Sequence, residues 1–233
     1  VQTQAVGSGD GADAFHEPET NYGVVRVKRN IFANSSIGGV LTNKQNGSGY
    51  YNRLLGIDGN FQFNPTLKFE THMAKTFTPG LNRDDFIGIW KLVYTKNNFT
   101  ADVRHYIVAP DYNAEMGYIT ESDFLQTFIN LGYTQWINSY GIRNISYAAR
   151  YWYVDYYNHV FWFWWARGGV DITLNSGDKI SYSGAREQER VHTMHYIGPV
   201  RIDTGDYTNG KHTVSFTSNP SRPLSSSIGY TDE

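Results

Sequence analysis

From Val160 to Leu174 the side chains fall into two alternating sets, and of the regular backbone conformations only an extended strand keeps those sets apart. One set is Val160, Trp162, Trp164, Ala166, Gly168, Val170, Ile172 and Leu174, with no polar side chain. The other is Phe161, Phe163, Trp165, Arg167, Gly169, Asp171 and Thr173. A helix would scatter both sets around its circumference. The same sorting recurs along the chain. Leu55, Ile57, Phe61 and Phe63 oppose Asp58, Asn60 and Gln62, and Leu67, Phe69 and Met73 oppose Lys68, Glu70 and His72. Phe99, Ala101, Val103 and Ile107 oppose Thr100, Asp102, Arg104 and Tyr106, with His105 out of place on the apolar side. Ile145, Tyr147, Ala149, Tyr151 and Tyr153 oppose Ser146, Arg150 and Trp152. Phe86, Trp90, Leu92 and Tyr94 form a less clean case, because Ile87, Ile89 and Val93 face the other way.

This periodicity predicts about twelve strands, over 21–29, 35–43, 49–63, 67–76, 85–95, 99–109, 123–134, 144–155, 160–174, 179–188, 211–218 and 224–232. Many reach ten residues, against about five or six for a strand in a water-soluble domain. Ten residues, tilted, is the length that crosses a hydrocarbon slab. No helix is required anywhere. Short turns fall at Asn64-Pro65-Thr66, Lys96-Asn97-Asn98, Asn175-Ser176-Gly177-Asp178 and Asn219-Pro220-Ser221-Arg222-Pro223, built from residues that tight turns demand. Longer connections are expected at 77–84, 110–122 and 189–210. Short and long mostly alternate, apart from an expected long connection at 135–143 and a short one at 156–159. Such alternation belongs to an up-and-down barrel with two unlike rims; Greek-key sandwiches have no reason for it.

The fold class that follows is all-β: an antiparallel up-and-down β-barrel of the outer-membrane type, incomplete or open over this stretch. Residues 1–20, rich in Gly and lacking periodicity, read as a flexible lead-in, and 21–233 as a single barrel segment. The chain starts at Val1 and reaches Glu233 within an expected strand, so an internal piece of a longer protein is expected. Trp162, Trp164, Val170, Ile172, Leu174, Tyr147, Tyr151 and Tyr153 are expected to face lipid or its interface. Asp58, Glu70, Asp102, Arg104, Arg150, Arg167 and Asp171, with Lys91, are expected to line a lumen. The ten aromatic residues between Tyr151 and Trp165 suit the headgroup level, where one end of the ring is wet.

Composition narrows the alternatives. The 18 Tyr, 13 Phe and 6 Trp favour pleated sheet. With no Cys, disulfides and thiolate metal sites are excluded. A formal charge of −2 gives nucleic acid no electrostatic attraction. There is no apolar run of transmembrane-helix length, and no signal peptide is visible. The polar average hydropathy is what alternating lipid-facing and lumen-facing residues produce.

Several motifs, in order, resemble those of a known family. Asn21-Tyr22-Gly23-Val24-Val25-Arg26-Val27-Lys28-Arg29, then Ser35-Ser36-Ile37-Gly38-Gly39 and Leu41-Thr42-Asn43, is similar to the opening of domain of unknown function 5916. Asn52-Arg53, Gly56-Ile57-Asp58, Phe61 and Phe63, Ala74-Lys75-Thr76, Thr78-Pro79-Gly80 and Tyr112-Asn113-Ala114-Glu115-Met116-Gly117-Tyr118 continue the series. It ends with Asn175-Ser176-Gly177-Asp178, Gly205-Asp206-Tyr207 and Ser218-Asn219-Pro220-Ser221-Arg222-Pro223-Leu224. The resemblance spans roughly 20–233. It implies an outer-membrane barrel of a Gram-negative bacterium, mostly in Bacteroidota, with the lipid bilayer as partner. Members usually carry an N-terminal module similar to family 9 carbohydrate-binding modules, absent here, so carbohydrate is a second implied partner. They generally continue for several strands beyond the position of Glu233, which implies an incomplete barrel. No catalytic residue or cofactor comes with the resemblance. The run Phe161–Trp165 is richer in aromatics than the family pattern.

Other candidate chemistry is weak. His192-x-x-His195 lacks a third metal ligand. Asp203-x-x-Asp206, with Gly205 and Asn209, is oxygen-rich but lacks EF-hand spacing, and reads as a turn. Asp10 and Asp13 make a single copy of a calcium-like pattern, and Gly7-x-Gly9 has no strand–helix context. No nucleophile elbow, Walker motif or zincin motif occurs, and nothing pairs two carboxylates for glycoside hydrolysis. The expectation is a non-enzymatic barrel serving passage, display or anchoring at the cell surface, linked to carbohydrate handling through the implied module. Two rivals make different demands: a soluble β-protein that binds or cleaves carbohydrate, and a secretion or assembly scaffold that binds protein partners through its long loops.

Overall fold

The structure, a computed structural model, describes residues 19–81, 85–117 and 119–233. Its strands are β1 Thr20–Ile31, β2 Ser35–Asn46, β3 Tyr51–Asn64, β4 Leu67–Phe77, β5 Phe86–Lys96, β6 Phe99–Val108 and β7 Phe124–Ser139. They continue as β8 Ile142–Tyr156, β9 Phe161–Leu174, β10 Lys179–Val191, β11 His195–Ile197, β12 Val200–Ile202, β13 Gly205–Thr217 and β14 Ser227–Asp232. All except β11 and β12 form one 12-stranded sheet in chain order, each strand antiparallel to its neighbours. β11 and β12 make a separate hairpin inside the β10–β13 connection. Each expected strand is present, and the chain is an antiparallel meander with no crossover. Among the described residues β1 and β14 pair with one neighbour each.

A meander places all odd-to-even connections on one rim and the rest on the other. On the first rim the chain reverses through 32–34, Pro65-Thr66, Asn97-Asn98, Tyr140-Gly141 and 175–178, with the longer 218–226 as its exception. On the second rim lie 47–50, 78–85, 109–123, 157–160 and 192–204. Local chemistry makes these turns. Asn64 Oδ1 accepts hydrogen bonds from the Thr66 and Leu67 amides at 2.9 Å each, and Asn46 Oδ1 accepts from Ser48 and Tyr50 at 3.2 and 3.0 Å.

Two expected connections are corrected. The stretch 135–143 is not a long connection: β7 runs on to Ser139, and Tyr140 and Gly141, both at positive φ (53° and 78°), reverse the chain. Positive φ at both central residues is the type I′ geometry that suits strand twist. A register shift between Trp136 and Ser139, with Asn138 at φ 51°, breaks the alternation here. The stretch 189–210 is also mostly strand. β10 extends to Val191 and β13 begins at Gly205, which leaves a loop that carries the β11–β12 hairpin. Thr20 already opens β1, while Asp10, Asp13, Gly7 and Gly9 lie outside the described residues.

No second layer covers the sheet among the described residues. Among the described residues the buried apolar side chains are Val108, Ala109, Tyr112 and Val154, far too few for a sandwich core.

Candidate functional site

Register partners in a sheet share a face, so the two expected sets of residues can be placed. Tyr147 faces Val170, Tyr153 faces Trp164 and Tyr151 faces Ala166. Alternation within β9 then carries Ile172 and Leu174 to the same side, whereas a register shift beside Val154 and Asp155 turns Trp162 to the opposite face, where it stacks on Tyr156 with ring centres 5.1 Å apart. Seven of the eight residues expected to meet lipid share this face, and Trp162 is the correction, displaced by the register shift. Glu70 faces Lys91, Lys91 faces Arg104, Asp102 faces Asn130, Asn130 faces Arg150 and Arg150 faces Arg167. Asp58 and Asp171 join them by alternation within β3–β4 and β9. All seven residues expected in the lumen, and Lys91, therefore occupy the opposite face.

The apolar face is banded. Phe99, Tyr133, Tyr147, Val170, Tyr182, Val214 and Tyr230 form one register-linked row across seven strands near the short-turn rim. A second row, Trp90, His105, Thr127, Tyr153 and Trp164, lies nearer the long-loop rim. Tyr147 and Tyr153, one in each row, are about 20 Å apart along β8 at the usual strand rise. Leu92, Val103, Ile129 and Tyr151 fill the interval as a further row. Arg186 and His212 also stand on this face, the latter stacked on Tyr182 with ring centres 6.2 Å apart.

The polar face is a lattice of ion pairs. Arg26 meets Asp58 at 2.5 Å, Glu70 is shared by Lys68 (2.5 Å) and Lys91 (3.2 Å), Arg104 grips Asp102 at 2.6 Å, and Lys179 meets Asp171 at 2.8 Å. Arg150 and Arg167 donate instead to neutral oxygens, at 3.2 Å to Asn130 Oδ1 and 3.4 Å to Ser183 Oγ.

Exposure runs opposite to that of a water-soluble protein. The Asp58 and Asp102 side chains are 13% and 19% exposed, whereas Leu55 and Ile57 are each 55% exposed on the apolar side. The largest fully buried side chains are polar, Asn52 and Thr76.

Those two residues anchor a latch that the sequence alone does not reveal. The 109–123 loop folds back over the polar face of β2–β4. Asn52 Nδ2 donates to Thr78 Oγ1 (2.8 Å) and to the Asn113 carbonyl (2.7 Å), while its Oδ1 accepts from the Glu115 amide (3.3 Å). Thr76 Oγ1 accepts from the Asn113 amide at 3.2 Å. The Glu115 carboxylate takes Lys44 at 2.7 Å, the Tyr50 hydroxyl and the Asn113 side chain. Partial burial works against ionisation of Glu115, but the hydrogen bonds from Lys44 and Tyr50 outweigh it and hold the carboxyl below its ordinary value. The same hydrogen bond to Glu115 raises the Tyr50 phenol, with burial adding to it. Burial alone raises Tyr112. Asn52, Thr76, Thr78, Asn113 and Glu115 come from four separate segments of the motif series, and this junction is where those segments meet. Their order along the chain is the signal that could have flagged them.

The weaker candidates do not converge. The His192 ring nitrogen Nε2 bonds the Phe161 carbonyl at 2.8 Å, and His195 Nδ1 lies 3.2 Å from the Thr193 carbonyl. Asp203 is taken by Arg201 at 2.7 Å, Asp206 by Arg190 at 2.6 Å, and Asn209 donates to Glu187. Among the described residues no group of three His, Cys, Asp or Glu side chains could hold a metal ion. Comparison with protein-family models, curated proteins and solved structures finds no match. The resemblance to domain of unknown function 5916 therefore rests on the quoted motifs alone.

Proposed function

We propose that this sheet is the wall of an outer-membrane β-barrel, with its apolar face against lipid and its polar face around a lumen. The observation that carries this reading is the inverted exposure: aliphatic and aromatic side chains lie open on one face while paired charges are half-buried on the other. In water such a face would drive association. In a bilayer it is the favoured boundary, and two aromatic rows bracketing aliphatic ones match the girdles of membrane barrels. Strands of 10 to 16 residues among β2 to β10 are long enough to cross at a tilt. The unlike rims fit short periplasmic turns and longer external loops. Arg186 can reach the interface with its long stem.

Lipid offers no partner to a bare strand edge. Within the membrane β1 and β14 must therefore pair, with each other or with further strands. The role that follows is passage or anchoring in the outer membrane of a Gram-negative bacterium, with the polar face in contact with whatever passes, rather than catalysis.

The test is expression in a Gram-negative host. Recovery from the outer-membrane fraction only with detergent, together with faster gel mobility before boiling than after, supports the barrel. Recovery as a soluble periplasmic protein with a single mobility refutes it, and the open apolar face would then require a protein or carbohydrate to cover it.

A further inference from the structure

The polar face carries apolar side chains in several places, among them Ile87, Ile89 and Val93 on β5, and one of these places is a run of aromatic rings. Phe128 faces Trp152 and Trp152 faces Trp165, so three rings stand side by side on three adjacent strands. Phe163 meets Trp152 edge-on, with ring centres 4.8 Å apart, and the Arg104 guanidinium lies 5.7 Å from the centre of Phe128. These rings are on the wrong side for lipid and they build no core: Trp152 is 36% exposed. A contiguous aromatic strip that stays partly open to solvent in a polar wall marks a binding surface.

Its two flanks carry opposite chemistry. One register step toward the short-turn rim, Arg150 and Arg167 stand directly opposite each other. No described carboxylate forms an ion pair with either. Like charges directly opposite are unfavourable, and a shared anion removes that penalty through charge-assisted hydrogen bonds. On the next strand Glu187 faces Trp165 and accepts from Asn209 Nδ2 at 3.3 Å. Trp165, Arg167, Glu187, Asn209 and Lys211 line a cleft of about 150 Å³.

Flat rings call for a ligand with an apolar face, and the flanking donors and acceptors call for hydroxyls around its edge. A pyranose ring has both. Strand spacing of about 4.8 Å places successive aromatic rings at intervals that suit successive units of a chain. The facing arginines add a preference for a carboxylate. We propose that Phe128, Trp152 and Trp165 form a stacking track for acidic oligosaccharides, with Arg150 and Arg167 receiving the carboxylates. This rests on the lumen reading of the polar face.

The experiment uses the full chain folded in detergent, with heat-modifiable mobility checked first, so that failure of the barrel reading registers separately. Trigalacturonate and the neutral maltotriose are then titrated by calorimetry. The expected result is saturable binding of trigalacturonate at least tenfold tighter than that of maltotriose. Trp165→Ala should weaken it tenfold or more. The exposed double variant Arg150→Gln/Arg167→Gln should remove the preference over maltotriose, and it serves as the second variant should Trp165→Ala fail to fold. A heat-modifiable protein that binds neither sugar, or that keeps its full preference in the double variant, overturns the proposal.

Discussion

The polar faces of β2–β4 and of β10–β14 obey the same alternation, yet they are packed very differently. In the first region the 109–123 loop lies on the strands. Asn52, Thr76, Thr78 and Asp85 are buried there. In the second, β13 and β14 are exposed along nearly their whole length, and their polar faces present Lys211, Thr213, Ser215 and Thr231 with no loop above them. Alternation thus decides which face a side chain takes, and an inserted loop decides how buried that face becomes. On the polar side cohesion comes from hydrogen bonds and ion pairs that need partners; on the apolar side the proposed reading assigns it to lipid.

The largest effect should follow from charging the apolar face. Leu131→Arg, on β7 between the two aromatic rows, should cost about 2–4 kcal/mol of folding stability in lipid. Ser215→Arg, on the polar face of β13, should change it by less than about 0.5 kcal/mol. Urea midpoints for refolding into vesicles give both numbers, and equal costs would erase the distinction between the faces. Next comes the latch. Asn52→Ala strands buried partners at Asn113 and Glu115 and should cost about 2–3 kcal/mol, while Asn209→Ala in the open region should cost less than about 0.5 kcal/mol. Similar costs would mean that the loop adds no cohesion.

Acid should loosen the same latch by a smaller amount. Because the folded protein holds Glu115 below its ordinary carboxyl value of 4.5, its contribution is complete above that value and fades as pH falls through the depressed one. Proteolysis within 109–123 should accelerate in that acid window for the natural sequence. In Glu115→Gln cleavage should be faster than in the natural sequence at neutral pH and should stay flat on acidification, and a parallel acid response would assign the effect elsewhere. The smallest effect belongs to the short-turn rim. Tyr140, 98% exposed and held at φ 53°, pays for a conformation that Asn tolerates better, so Tyr140→Asn should stabilise by about 0.5–1 kcal/mol in the same urea assay. A loss of stability would show that the ring has a partner at the membrane surface.

Where alternation is uninterrupted, as from Phe163 to Leu174, the strand and its two faces are legible from the residues. It fails where a bulge intervenes: the offset at Asn138 shifts the pattern by one, so the end of β7 looks like loop. It fails again in the second half of β10, where Arg186, Glu187, Gln188, Glu189 and Arg190 offer no apolar residue to reveal a period. What holds that stretch to β13 includes an Arg190–Asp206 pair sixteen residues apart, which spacing alone does not disclose. The latch was hidden for a related reason. Asn52 and Glu115 are single polar residues in different parts of the chain, and only the folded meander makes them neighbours. The rings of Trp152 and Trp165 were visible on the polar side from alternation, but Phe128 joins them only through register.

The latch also bears on the order of assembly. Each pairing in the sheet joins strands consecutive in the chain, except that the β11–β12 hairpin intervenes between β10 and β13, so hairpins can form in sequence with little loop entropy to overcome. The contacts from Lys44, Tyr50 and Asn52 to the 113–115 stretch span 61 to 71 residues and reach from the end of β6 past β5 and β4 to β3, and in the case of Lys44 past β3 to β2. They act as a chord: no such span can close until β2 through β6 are in place. In the barrel proposed above, the choice of which face becomes the inside is then set late and by a handful of polar atoms.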